Sequence, residues 1–289
     1  MVAGLLIAMA VTVFSMILPG TCTPEYMDRI RYQIRAKAYN PFVPGVIYEN
    51  MQIIYKSGDK KVELHAEDVV DWVRYWPDGH WDIDDDKIAE FVSGLQKTYD
   101  TWDYYKILKT TDGRIVRVPP GEYGWKLDRK KEIKEISKML RRNGITVHNL
   151  HFVTEAAEMG NPSGDYGDSY LEIDLTAQKL WLYMEGKMVL TSDVVSGMMN
   201  TSRQTPPGAD AIYYRQSPAV LKGEGYESPV SYWMPFNRGI GLHDATWQVS
   251  FGGDACYYRG SHVCINLPLD VAGQIFEQVR KGFPVLCYY

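Results

Sequence analysis

The sequence predicts an α+β protein in three parts: an apolar N-terminal helix, an α+β domain, and a β-rich domain with one helix packed on it. Three observations predict it. Residues 1–18 hold no charged side chain. Apolar residues recur at helical spacing in three stretches between residues 66 and 140. Beyond residue 170 the pattern becomes short alternating runs broken by turn residues. The limits read from these changes are an anchor over 1–20, a polar connector with Pro41 and Pro44 over 21–46, a first domain over 47–157, and a second over 169–289.

The N-terminal run is apolar on every side and reaches the lower limit of length for a helix crossing a bilayer. It reads as a single-pass membrane anchor. No Ala-x-Ala cleavage site follows it, and Cys22 sits in a poor match to a lipoprotein box. Arg29, Arg31, Arg35 and Lys37 follow the run with no basic residue before it, so a basic leader is expected upstream.

In the first domain, Val69, Trp72, Val73 and Trp76 fall at i, i+3, i+4 and i+7, which predicts a helix. A second helix follows Asp84–Asp86 and carries Ile88, Phe91, Val92 and Leu95. A third starts behind Asp128, stacks Ile133, Ile136 and Leu140, and stops at Gly144. Strands are expected over 115–118 and 147–153. The stretch 158–168 is rich in Gly, Asn, Ser and Asp and reads as the interdomain linker.

The second domain opens with an alternating strand at 170–174. Two strands follow, joined by a turn at Glu185-Gly186. Further strands are expected around 211–214, 231–236 and 240–243. A late helix has Pro268 near its start, Val271, Ile275 and Val279 on one face, and Gly282 as its stop. A last strand spans 283–289.

A formal charge of −5 removes the counterion-release drive that nucleic-acid binding needs, so no nucleic-acid partner is expected. Cysteines 22, 256, 264 and 287 show no metal or redox spacing. The chemistry concentrates in residues 239–268, which hold two of six histidines and two of four cysteines. A thiol becomes nucleophilic as thiolate and needs a neighbouring base. His262 lies two residues before Cys264, and His243 about twenty. On the residues alone three readings stand: Cys264 as nucleophile, Cys264 as a buried apolar residue, or zinc held by His243, His262 and Cys256 or Cys264.

The segment 170–289 resembles the L,D-transpeptidase catalytic domain (the YkuD-type domain). His243 is followed by Ser261-His262-Val263-Cys264-Ile265-Asn266, similar to the family's His…Ser/Thr-His-Gly-Cys-x-Asn/Arg pattern. PPGADAIY (206–213) and YWMPFNRGIGLHDATW (232–247) are similar to its other motifs. YDTWDYYKILKTTDGRIVRVPPGEYGWKLDRKKE (99–132) resembles the peptidoglycan-binding domain that precedes this catalytic domain in Gram-positive anaerobes.

The resemblance implies a β-sandwich-like catalytic domain and a cell-wall acyltransferase outside the membrane. Cys264 would attack a peptidoglycan stem peptide, release D-Ala, and pass the acyl group to an acceptor stem in a 3→3 cross-link. His243 would be the base, with the backbone carbonyl of Asp244 orienting its ring. Backbone amides near His262–Cys264 would hold the oxyanion. His262, Ser261, Asn266 and Val263 would shape the site, and Trp247 would wall a pocket. Carbapenem acylation of the cysteine is implied; no metal or organic cofactor is. The alternatives are an L,D-carboxypeptidase using the same thioester and an impaired wall-binding scaffold.

One departure stands out. The family's glycine before the cysteine is Val263 here, which would be strained at positive φ. Elsewhere, the acidic run at 82–86 reads as a helix cap, because it lacks the ligand pattern of a calcium loop. His65, His80, His148 and His151 show no metal pattern. Cys287 reads as core, and Cys256 as a loop residue and possible second thiol.

Overall fold

The computed structural model describes residues 51–289, apart from 59, 76–80, 143 and 224–225. The expected anchor and connector lie outside the described residues. No described helix is long and apolar enough to cross a membrane.

In chain order the first elements are β1 (Gln52–Ser57), β2 (Lys60–His65), α1 (Ala66–Val69), β3 (Val73–Tyr75), β4 (Trp81–Ile83), α2 (Asp85–Tyr99), β5 (Lys106–Lys109), β6 (Ile115–Val118), β7 (Lys126–Leu127), α3 (Arg129–Leu140), β8 (Ile145–Asn149) and β9 (Phe152–Thr154). The helix expected through Trp76 stops early. A 3-10 turn spans Val70–Trp72, and Val73 is already extended at φ −90°, ψ 123°. β-branched Val73 fits a strand better than a helix. The run at 147–153 is two strands, β8 and β9, rather than one.

The chain forms two compact units. Of the described residues, one holds 51–55 with 62–91 and 133–148; the other holds 56–61, 92–132 and 149–289. In the first, Tyr55 packs its ring against Phe91 at 5.7 Å and His148 at 5.6 Å, and Ile53, Leu64, Ile88 and Ile136 are buried.

The second unit adds β10 (Tyr170–Asp174), β11 (Lys179–Met184), β12 (Lys187–Asp193), β13 (Gly208–Ala211), β14 (Ala219–Gly223), β15 (Tyr226–Val230), β16 (Trp233–Asn237), β17 (Ile240–Asp244), α4 (Ala255–Arg259), β18 (Ile265–Leu267), α5 (Leu269–Gln278) and β19 (Pro284–Tyr288). A five-stranded sheet runs β12-β11-β10-β19-β13 and a three-stranded one β16-β17-β18. Leu171, Ile173, Leu180 and Val285 from the first sheet share a core with Met234, Leu242 and Ile265 from the second and with Ala272 and Ile275 of α5. The β11–β12 turn has Glu185 at φ 49° and Gly186 at φ 74°, the two positive values a tight hairpin requires.

The unit boundary differs from the sequence-based one. Residues 92–132, read with the first domain, belong to the unit that contains the two sheets. Buried carboxylates explain this. Glu172 accepts the Thr111 N–H and hydroxyl, each at 2.9 Å, and the Tyr288 hydroxyl at 2.7 Å. Asp210 accepts the Glu122 N–H at 2.9 Å, and Asp174 pairs with Arg114. Leu108, Val118 and Tyr123 pack with Ala209, Leu286 and Tyr288 in one apolar cluster.

The stretch 158–168 is a packed loop of this unit. Asp165 and Lys106 are fully buried, with Lys106 Nζ 2.8 Å from Asp165 Oδ1. That ammonium also donates to the carbonyls of Thr101 and Pro162, both at 3.0 Å.

Candidate active site

The parallel pairing of β17 and β18 builds the site. Its register sets His243 beside Asn266 and Asp244 beside Leu267. Cys264, in the bend just before β18, and Asn266 within it both line the same cleft. β16 flanks β17 on its other edge, with Trp233 opposite His243. A cleft of about 780 Å³ results, and His243, Cys264, Asn266, Trp233, Trp247 and His262 are among its lining residues. The β14–β15 hairpin contributes Leu221, which packs with Cys264 on a cluster of Ala219, Val230 and Trp233.

His243 is buried, and its Nδ1 lies 2.9 Å from the Asp244 carbonyl oxygen. A carbonyl only accepts, so Nδ1 carries the proton and Nε2 keeps a lone pair. Burial lowers the imidazole pKa below its ordinary value, against a smaller opposing effect of that carbonyl. The neutral ring is therefore the resting form. Trp233 and Trp247 each lie 5.9 Å from it, centroid to centroid. The Asp244 carboxylate faces elsewhere: it accepts the N–H groups of Ser231 at 3.1 Å and Tyr232 at 2.7 Å, which secures the turn leading into β16.

Cys264 is a half-buried free thiol. Its Sγ donates weakly to the Gly239 carbonyl at 3.9 Å. Burial pushes the thiol pKa up to about 11, with only a partial offset from the Gly241 backbone. Thiol and imidazole are thus both neutral at rest. Both line the one cleft, and a thiol and a neutral imidazole are the two group types from which a nucleophile and a general base are built.

The motif around the sulfur is tightly held. Ser261 Oγ donates to the Cys264 carbonyl at 2.6 Å, so this side chain fixes the turn as well as lining the cleft. Val263 has φ +92°, and its carbonyl accepts the Thr205 hydroxyl at 2.7 Å. A Cβ on Gly197 would sit 2.9 Å from the Val263 Cα and 2.0 Å from the Arg203 carbonyl oxygen, so only glycine allows this approach. Val263 is not among the cleft-lining residues, whereas its neighbours His262 and Cys264 are. Asn266 is buried, and its Oδ1 has no hydrogen-bond partner among the described residues.

Of the other cysteines, Cys256 is buried in α4 and Cys287 in β19. Sequence reasoning missed the β14–β15 hairpin, although Gly223-Glu224-Gly225 is a turn signal; Pro229 within the second strand masked it. Trp233 was not singled out either.

Comparison with known proteins places this geometry. The L,D-transpeptidase catalytic domain matches residues 168–287, and a peptidoglycan-binding domain matches residues 71–147. A cysteine-to-serine mutant of the Enterococcus faecium L,D-transpeptidase is 32% identical over 83% of this chain and 96% of that one, with a TM-score of 0.62. The chain belongs to the L,D-transpeptidase family. The Ldtfm–avibactam carbamoyl enzyme is similar too, at 30% identity over 91% of this chain and 99% of that one, with a TM-score of 0.63. No curated protein sequence matches. Between them the two domain matches leave out 148–167, the stretch that takes in all but the last residue of the packed 158–168 loop.

Proposed function

We propose that this chain is a peptidoglycan L,D-transpeptidase with Cys264 as nucleophile and His243 as general base. The observation that carries the reading is the tautomer set by Asp244. With Nδ1–H held on a carbonyl, Nε2 of a neutral His243 is a proton acceptor in the cleft that also holds the Cys264 sulfur. As Sγ attacks the carbonyl preceding the terminal D-Ala of a donor stem, its proton passes to Nε2. Backbone amides of the 262–264 turn stabilise the oxyanion. The C–N bond breaks, the departing D-Ala amine takes the proton from Nε2, and a thioester on Cys264 remains. An acceptor amine then attacks the thioester and gives a proton to Nε2, the C–S bond breaks, and the Cys264 sulfur takes that proton back, which leaves a 3→3 cross-link and the free thiol.

The peptidoglycan-binding match supports the same polymer as substrate. That polymer lies outside the cytoplasmic membrane, which places the catalytic unit there in this proposal, with residues 1–20 as the anchor. Purified protein incubated with a donor tetrapeptide and an acceptor stem tests the reading. Cross-linked dimer with released D-Ala is the expected product. Trimmed tripeptide alone would replace transpeptidation with L,D-carboxypeptidase activity, and unchanged substrate would remove the catalytic reading.

A further inference from the structure

The chain carries a net charge of −5, yet no carboxylate lines the cleft among the described residues. Two permanent cations do, Lys222 and Arg259. Lys222 is neutralised: its Nζ lies 2.8 Å from Glu227 Oε1. Arg259 is not. Its Nη2 donates to the Ser250 hydroxyl at 2.6 Å, and no carboxylate pairs with it among the described residues. A guanidinium offers five donors in a planar fork that matches a carboxylate, so most of this fork remains for a ligand.

The backbone holds Arg259 in place. It is the last residue of α4, and Gly260 follows it in a fit that admits no side chain: a Cβ there would lie 2.3 Å from the Met198 Cα. The Arg259 carbonyl accepts Gln248 Nε2 at 2.9 Å. Through Gln248 and Ser250, Arg259 is tied to the loop that carries Trp247, while Gly260, Ser261 and His262 lead from it along the cleft wall to Cys264.

We infer that Arg259 binds the terminal carboxylate of the acyl-donor peptide, the carboxylate of the residue that departs. The inference rests on the transpeptidase reading. In such a donor the scissile carbonyl and the terminal carboxylate are separated by one residue, about 3.5 Å of extended chain. The carboxylate therefore binds close to the sulfur, in the cleft that Cys264 and Arg259 both line, where Arg259 is the one unneutralised permanent cation among the described residues. Arg259 thereby selects donors that end one residue beyond the bond to be cut.

The test measures binding of L-alanyl-γ-D-glutamyl-L-lysyl-D-alanine and of its C-terminal amide to the full chain carrying Cys264→Ser, by calorimetry. Adding Arg259→Gln is expected to weaken binding of the acid about tenfold and to leave the amide unchanged, while Arg259→Lys recovers part of the loss. Thermal unfolding of each variant reports whether the fold is intact. Equal weakening of acid and amide, or no weakening of either, overturns the assignment. Acylation of wild-type Cys264 by the same peptide separates the two proposals: acylation without acid–amide discrimination removes Arg259 alone, whereas neither acylation nor binding removes both.

Discussion

Val263 holds a backbone conformation, φ +92°, that β-branched residues rarely adopt. Such a residue costs about 1–3 kcal/mol and persists where its surroundings fix it, here through the Thr205 hydroxyl and the close Gly197 backbone. Replacement by glycine relieves the strain but frees the unfolded chain, at a cost of about 0.5–1 kcal/mol. Val263→Gly is therefore expected to gain about 1 kcal/mol in denaturant unfolding, and a loss of stability would contradict a strained native valine. The substitution itself was visible in the sequence as a departure from a pattern. Its conformation and its absence from the cleft lining were not, because both depend on residues 197–205, far away along the chain.

His243 carries the second prediction at this scale. Burial lowers its pKa below the ordinary 6.5, so the free base survives into mild acid. The rate of Cys264 acylation should fall on the acid side with an inflection below 6.5, and an inflection above 6.5 would contradict a desolvated ring. Stability follows the same sign. An unfolded chain takes up this proton first, so the His243 contribution is complete above about pH 6.5 and is lost as pH falls through the folded value. A His243→Gln variant should lack that part of the pH dependence.

At the scale of elements, regular strands and long helices were legible where local pattern and tertiary role agree. The β11–β12 hairpin appears where alternation and Glu185-Gly186 put it, and α2 and α3 follow their acidic starts. The failures share a cause. Val73 matched a helical period by chance and joined a strand pair with β4, and the Gly-rich stretch at 158–168 looked like a free tether. At the centre of what holds that loop is an ion pair between residues 59 positions apart, Lys106 and Asp165, both fully buried, with hydrogen bonds from Ile107 N–H to the Ser163 carbonyl and from the Tyr166 hydroxyl to the Ile107 carbonyl beside it. Burial lowers the pKa of Lys106 and raises that of Asp165, each toward its neutral form, so removal of one partner is costly. Lys106→Met should destabilise the protein by about 3–5 kcal/mol, read by thermal unfolding, with faster amide exchange across 158–168. Lys106→Met with Asp165→Leu should recover most of the loss. A single variant as stable as wild type would contradict the clamp.

Across the whole molecule, the family matches at 71–147 and 168–287 fall close to the domains read from the sequence, whereas the compact units divide the chain elsewhere. Residue type and spacing singled out Cys264 and His243 but left three readings open; the resemblance of their motif to the family's chose among them, and a parallel strand pair brings their neighbourhoods together. The boundary was obscured because buried Glu172, Asp174 and Asp210 hold the 111–122 segment on the β-rich sheet. A buried acid in a strand carries no sequence mark of its distant partner. Arg259 was likewise invisible: it is one of 31 basic residues, and only the cleft shows that it lacks a carboxylate. The unit that performs the proposed chemistry therefore extends beyond the matched catalytic segment and includes chain contributed from 92–132.

The most direct measurement is the intact mass of the protein after exposure to a carbapenem, with the adduct located by peptide mapping. A single acyl adduct on Cys264 is predicted, absent from Cys264→Ser and formed far more slowly in His243→Gln. An unmodified wild-type protein, or an adduct on Cys256 in its place, would contradict the assignment of this sulfur and this imidazole.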